Sequence, residues 1–197
     1  DNEFLLHGFE TTQVRDSTLD GTNNGATSIT GKINNALSFD GSNDYATVGS
    51  ASDWKFLNDG STSWTITAFM KNTATGGDKH YIGTGESAST GAGLKIGSNS
   101  AGNFRIYTLD SSANIAGISY SSSSNFNPTD NTWRHYSFVY DKDAGTFKVY
   151  KDGVADTNTG SMSAFVDASN GATLTFGKNP SSLTNYTPNN IDEVGIF

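Results

Sequence analysis

Hydrolysis of a glycosidic bond needs two carboxyl groups flanking it, roughly 5 to 9.5 Å apart. The chain has only four glutamates, Glu3, Glu10, Glu86 and Glu193, scattered along its length. Asp141 and Asp143 have the spacing of a pair on one strand face, but Gly145 follows them, and a hairpin turn accounts for all three. His7, His80 and His135 are far apart and show no metal-ligand spacing. Serine is abundant, yet no Gly-x-Ser-x-Gly elbow occurs. Cysteine is absent, which removes disulfides, thiol catalysis and thiolate metal sites together. The expectation is a chain that binds its ligand without turning it over.

Binding a sugar needs aromatic faces that stack on pyranose rings and planar polar groups that meet hydroxyls. The aromatic residues outside the apolar alternation are Trp54, Tyr81, Tyr107, Tyr120, Phe126 and Tyr186. Trp54, within Ser52-Asp53-Trp54-Lys55, stands among polar residues and is the leading stacking candidate. His80 and Arg105 lie beside Tyr81 and Tyr107 and complete the candidate ligand set of Trp54, His80, Tyr81, Arg105, Tyr107 and Tyr120. For each ring, packing beneath a loop competes with stacking on sugar.

These side chains must be carried by strands. Trp133–Asp141 and Thr146–Val154 alternate in character, so each reads as a strand with one buried face. Lys142-Asp143-Ala144-Gly145 suits the hairpin between them, and Asp152-Gly153 suits a second tight turn. In Trp64–Met70, Thr65 and Thr67 face away from Trp64, Ile66 and Ala68, the pattern of a sheet with one dry face. Further strands are expected at 4–8, 36–39, 45–48, 81–83, 93–96, 103–108, 115–120, 172–176 and 191–197. Trp64, Phe39, Trp133, Phe138, Phe147, Val149, Phe176 and Tyr45 are the expected core.

Ser, Thr, Asn and Gly together make up 91 of 197 residues, so turn and strand formers dominate and helix is expected in under about a tenth of the chain. Twelve Phe, eight Tyr and three Trp supply a core, against the disorder that such polar composition otherwise permits. The net charge of −8 and pI near 4.6 exclude ordinary nucleic-acid binding, which needs clustered Lys and Arg. No segment is long and apolar enough for a membrane-spanning helix. No linker or internal repeat divides the sequence, so one domain over 1–197 is expected. Asp1 as the first residue suggests a mature or excised fragment.

The run from Trp133 to Val154 resembles the signature segment of laminin G-like domains, members of the concanavalin A-like lectin/glucanase superfamily. Gly31 to Val48, with Phe39-Asp40-Gly41 turning into Asp44-Tyr45, is similar to that family's second hallmark. Gly8-Phe9-Glu10, Asp16-Ser17-Thr18 and Asn23-Asn24-Gly25 are similar to its N-terminal strand and polar loop. Trp64–Phe69 resembles a core strand, and Asn190–Phe197 resembles the closing one. The order and spacing of these motifs cover nearly the whole chain.

The resemblance implies an all-β, antiparallel two-sheet sandwich of jelly-roll type. It places Arg105, Tyr107, Tyr120 and His80 along a concave or rim surface. The laminarinase-like branch of this fold carries a Glu-x-Asp-x-Glu strand for catalysis, and none is present here. The resemblance also implies a structural calcium ion, Ca²⁺ taking six to eight oxygens. Its implied ligands are Asp192, Asp16, Asn24, Asp40 and the Gly41 carbonyl, against a reading in which Asp16, Asp40 and Asn24 only brace turns. The expected partner is a glycan, or else a cell-surface protein. The expected setting is extracellular, on a cell or virion surface, within a larger bacterial or viral protein.

Overall fold

Alternation of apolar and polar residues decides which face each strand buries. The computed structural model describes residues 4–6, 21–72, 77–85, 92–112, 114–126, 130–165, 173–180 and 185–197. In chain order the elements are β1 (Phe4–Leu6), β2 (Gly21–Asn24), β3 (Thr27–Thr30), β4 (Asn35–Phe39), β5 (Tyr45–Val48) and α1 (Phe56–Asp59). Next come β6 (Trp64–Lys71), β7 (Lys79–Gly83), β8 (Gly93–Ser98), β9 (Phe104–Leu109) and β10 (Ile115–Ser121). The chain ends with β11 (Arg134–Asp141), β12 (Thr146–Lys151), β13 (Val154–Ala155), β14 (Ser161–Met162), β15 (Leu174–Phe176) and β16 (Asn189–Ile196).

The strands form two sheets. The first has the order β13-β12-β11-β6-β16-β4-β3, with β1 also paired to β16. The second has the order β14-β10-β9-β8-β7-β15-β5-β2. Every pairing is antiparallel, so this is the expected two-sheet jelly-roll sandwich.

β6 alternates buried and half-buried residues along its full length. Its Trp64, Ile66, Ala68 and Met70 meet Leu94, Ile96, Phe104 and Ile106 of the second sheet in one apolar cluster. Phe104 sets its ring edge-on to Tyr136 at 4.9 Å and to Phe138 at 5.5 Å, which locks the sheets together through aromatic contacts. The β12–β13 turn has positive φ at both Asp152 (51°) and Gly153 (80°), as a two-residue hairpin requires.

Two expected core residues stand elsewhere. Trp133 is only half-buried, because it precedes the first paired residue of β11. Tyr45 is half-buried too, because alternation in β5 turns Ala46 and Val48 inward and leaves Tyr45 on the outer face.

Three tyrosines are sealed in this core. Burial pushes the Tyr81 phenol from 10.0 up to about 12, partly offset by its hydrogen bond to Ser98. Burial likewise raises Tyr120, reinforced by the Asp156 carboxylate, and raises Tyr136, reinforced by Asp130 and Asp152. Below pH 10 both folded and unfolded chains keep these protons. Above it the unfolded chain ionises first, so stability should fall from pH 10 upward, by about 2–3 kcal/mol from Tyr81 alone by pH 12. Alkaline titration followed by phenolate absorbance and circular dichroism should show the last phenols ionising only as β structure is lost. Ionisation of all eight tyrosines with the sheet signal intact would contradict it.

Candidate ligand-binding face

The face of the second sheet turned away from the core is set by the residues between the core positions. In β8, Leu94 and Ile96 enter the core, so Gly93, Lys95 and Gly97 lie on the opposite face. Register then aligns one residue from every strand into a transverse row: Thr22, Thr47, Thr175, Gly83, Lys95, Tyr107, Ser119 and Ser161. One aromatic ring stands among hydroxyls and a cation.

Lys95 is fully buried although it faces outward. Its Nζ lies 2.8 Å from Asp78 Oδ1 and 5.3 Å from the Tyr107 ring centroid. An isolated buried ammonium is expensive, and the ion pair and the ring face offset that cost. Arg105 sits over the same ring, its Cζ 5.6 Å from the centroid, while its Nη1 donates to Ser121 Oγ at 3.2 Å. Arg105 and Tyr107 are both half-buried, so their outer surfaces reach solvent.

A second cluster lies across the same face. Tyr45 points outward from β5, and its ring centroid is 6.3 Å from that of Tyr186. Lys178 Nζ sits 4.5 Å from the Tyr45 centroid and 5.4 Å from that of Tyr186. Lys178 and Tyr186 form a bridge, and the Asn179 amide donates to the Asn185 carbonyl at 2.9 Å, which pins this corner.

The structure therefore brings Arg105 and Tyr107 together and places the other expected ligand residues inside. Trp54 is 2% exposed, its indole N–H donating to the Val48 carbonyl at 2.7 Å and its ring packing beside Phe56. Its polar sequence neighbours make a turn instead, with Asp53 accepting from the Ser50 amide and hydroxyl. Tyr81 is buried because a register shift between His80 and Ile82 lets two successive residues turn inward. His80 is buried as well, its amide donating to Thr187 Oγ1 where the 185–188 segment crosses the face. Tyr120 is buried and its hydroxyl donates to Asp156; Phe126 is also buried. Lys95, Asp78, Tyr45 and Lys178 were missed. Lys95 left one readable signal, a lysine alternating with two core residues and flanked by Gly93 and Gly97.

The described residues implied for calcium lie at the two ends of β4. Asp192 is buried, and its Oδ2 accepts the Lys32 and Ile33 amides at 2.7 and 2.9 Å. It thus braces the turn that enters β4. Asp40 and Gly41 lie past the other end of β4, where Asp40 Oδ1 accepts the Ser42 amide and Asp44 accepts the Asp40 amide. Asn24 belongs to that far end, since the adjoining Gly25 backs against Asp44. Among the described residues no three His, Asp or Glu side chains converge as metal ligands, and Asp16 lies outside those residues.

A sandwich of two antiparallel sheets with a polar, tyrosine-bearing outer face defines a jelly-roll protein of the lectin-like class. The chain belongs to the concanavalin A-like lectin/glucanases superfamily, whose laminin G model matches residues 40–197. No curated protein sequence matches it. Domain 4 of AbnA, an extracellular arabinanase from Geobacillus stearothermophilus solved in complex with arabinotriose, is a similar structure (TM-score 0.62, 16% identity, 90% of this chain and 81% of that one). Botulinum neurotoxin type C, whose cell entry depends on interaction with two ganglioside molecules, has TM-score 0.66 and 18% identity over 98% of this chain and 47% of that one. Trypanosoma rangeli sialidase has TM-score 0.60 and 16% identity over 91% of this chain and 27% of that one. The chain thus spans under half of the toxin and sialidase chains, and at these identities the likeness shows the fold.

Burial holds the Asp192 carboxyl above its ordinary value despite the two turn amides. If bracing that turn is its role, Asp192→Ala should destabilise by about 1–3 kcal/mol. For a domain of this size that lowers the melting temperature by roughly 3–10 °C. Calorimetry should give the same drop in calcium and in chelator. A drop present only in calcium would assign the residue to an ion instead.

Proposed function

We propose that the chain is a non-catalytic carbohydrate-binding domain that receives a glycan on the outer face of its second sheet, over Tyr107 and Arg105. The observation that carries this is the half-buried Tyr107 ring, gripped by Lys95 and Arg105 within a row of hydroxyl side chains. A pyranose can stack on the ring while Arg105 and Ser119 meet its hydroxyls. The likeness in fold to an arabinanase domain solved with arabinotriose and to a toxin that interacts with gangliosides supports the reading. So does the absence from the sequence of a Glu-x-Asp-x-Glu strand. An extracellular or virion-surface setting belongs to the same proposal.

Single-site affinity should be weak, about micromolar to millimolar, or roughly −8 to −4 kcal/mol. Affinity electrophoresis through gels containing defined polysaccharides tests it. Tyr107→Ala should weaken retention about tenfold, a loss of roughly 1.4 kcal/mol, while Trp54→Phe, altered only inside the core, should be retained like the parent if it folds. Unchanged retention of Tyr107→Ala would place the site elsewhere. Release of reducing ends from any of the polysaccharides would make the chain a hydrolase.

A further inference from the structure

We infer that the glycan is acidic, and that its carboxylate or sulfate groups are held by Arg105 at one end of the face and Lys178 at the other; this rests on the carbohydrate reading above. The chain carries a net charge of −8 with only 12 basic residues, so a local excess of cations on one face is not a by-product of composition. Lys95, Arg105 and Lys178 all sit over tyrosine rings of this face. Lys95 is neutralised by Asp78 and is sealed from solvent, which leaves it to position Tyr107. Among the described residues Arg105 makes one side-chain hydrogen bond, to Ser121, out of a fork of five N–H donors. Lys178 is half-buried between Tyr45 and Tyr186, and among the described residues no carboxylate pairs with it.

Each cluster thus pairs a stacking ring with a cation, the combination that meets both the apolar face and the charged group of an acidic sugar. The strands β5 and β9 are four places apart in the sheet, which separates the clusters by roughly 19 Å. That span calls for an oligosaccharide rather than one sugar, with charges spaced along it. Between the clusters Thr175, Gly83 and Lys95 are buried, so a ligand that joins the two lies over the residues that cover this row, Pro180 among them.

Isothermal titration against three probes tests this: polygalacturonate oligomers, chondroitin sulfate oligomers and neutral arabinan oligomers. One or both acidic probes should bind at least about fivefold tighter than the neutral one, and the difference should shrink as salt screens it. Arg105→Gln and Lys178→Met should each weaken the acidic probe about five- to tenfold, as loss of one charge-assisted contact does. Lys178→Met should leave the neutral probe near the parent, and both variants should keep the parent's melting temperature. Tyr186→Ala, which alters no charge, should weaken the same probe. Neutral binding as tight as acidic, or acidic binding indifferent to salt, would overturn the acidic specificity and leave the carbohydrate reading standing. An effect of Arg105→Gln with none from Lys178→Met and Tyr186→Ala would overturn the two-ended site. Binding of none of the three would remove the carbohydrate reading beneath it.

Discussion

The edge-on contact of Phe104 with Tyr136 and Phe138 is the interaction on which the outer face of the second sheet depends. It fixes β9 with Phe104 and Ile106 turned toward the first sheet. Because side chains alternate with period two, that one choice places Arg105 and Tyr107 on the outside. A slip of one residue in β9 would bury Arg105 in the core and expose two apolar rows. The proposed binding face is therefore specified by the residues it does not contain. The same logic runs through β8, where seating Leu94 and Ile96 obliges Lys95 to stand beside Tyr107.

Lys95 shows how such a face can be rigid and polar at once. A wholly buried ammonium would ordinarily lose its proton or force the strand apart. Here Asp78 supplies a carboxylate at 2.8 Å that is itself well exposed, so the pair is buried at one end and wet at the other. Glycine at 97 gives the lysine stem room, since a side chain there would strike both that stem and the Lys79 carbonyl. The ring of Tyr107 is thereby backed by a fixed charge. A stacking platform held in this way gives up little conformational freedom when a ligand arrives.

Most of this sandwich was legible because its central strands obey the alternation rule strongly. Trp64–Met70, Trp133–Tyr140 and Thr146–Lys151 read as strands and pair as neighbours in the first sheet. The strands that escaped notice are β2, β3, β13 and β14, and these four are the edges of the two sheets. An edge strand borrows its order from one neighbour and buries little, so Gly21–Asn24 or Ser161–Met162 carries no apolar period to read. The site was legible only in part, for a related reason. Arg105 and Tyr107 follow from alternation within one strand. Tyr81 was misplaced by a register shift, and Trp54 by treating polar sequence neighbours as a sign of exposure. Lys178 and Tyr45 come together from segments more than a hundred residues apart, which only the pairing of β5 with β15 reveals.

The two ends of β4 illustrate how carboxylates that resemble a metal set can serve the backbone instead. Each amide in a tight turn needs an acceptor, and a carboxylate meets two at once. Asp192 does so for Lys32 and Ile33, and Gly31 is tied to the same contact, because any side chain there would collide with the carboxylate. Asp40 does so for Ser42 and Asn43, and Asp44 fastens Asp40 in turn. The turns at both ends of β4 are thus bound to the chain around them: the first to β16 through Asp192, the second to Pro188 through its contact with Gly41. β16 continues directly from Pro188, and the 185–188 segment before it carries Tyr186 over the outer face. Bracing β4 therefore also fixes the approach of Tyr186 to Tyr45. The turn carboxylates thus act on the outer face of the second sheet through the backbone.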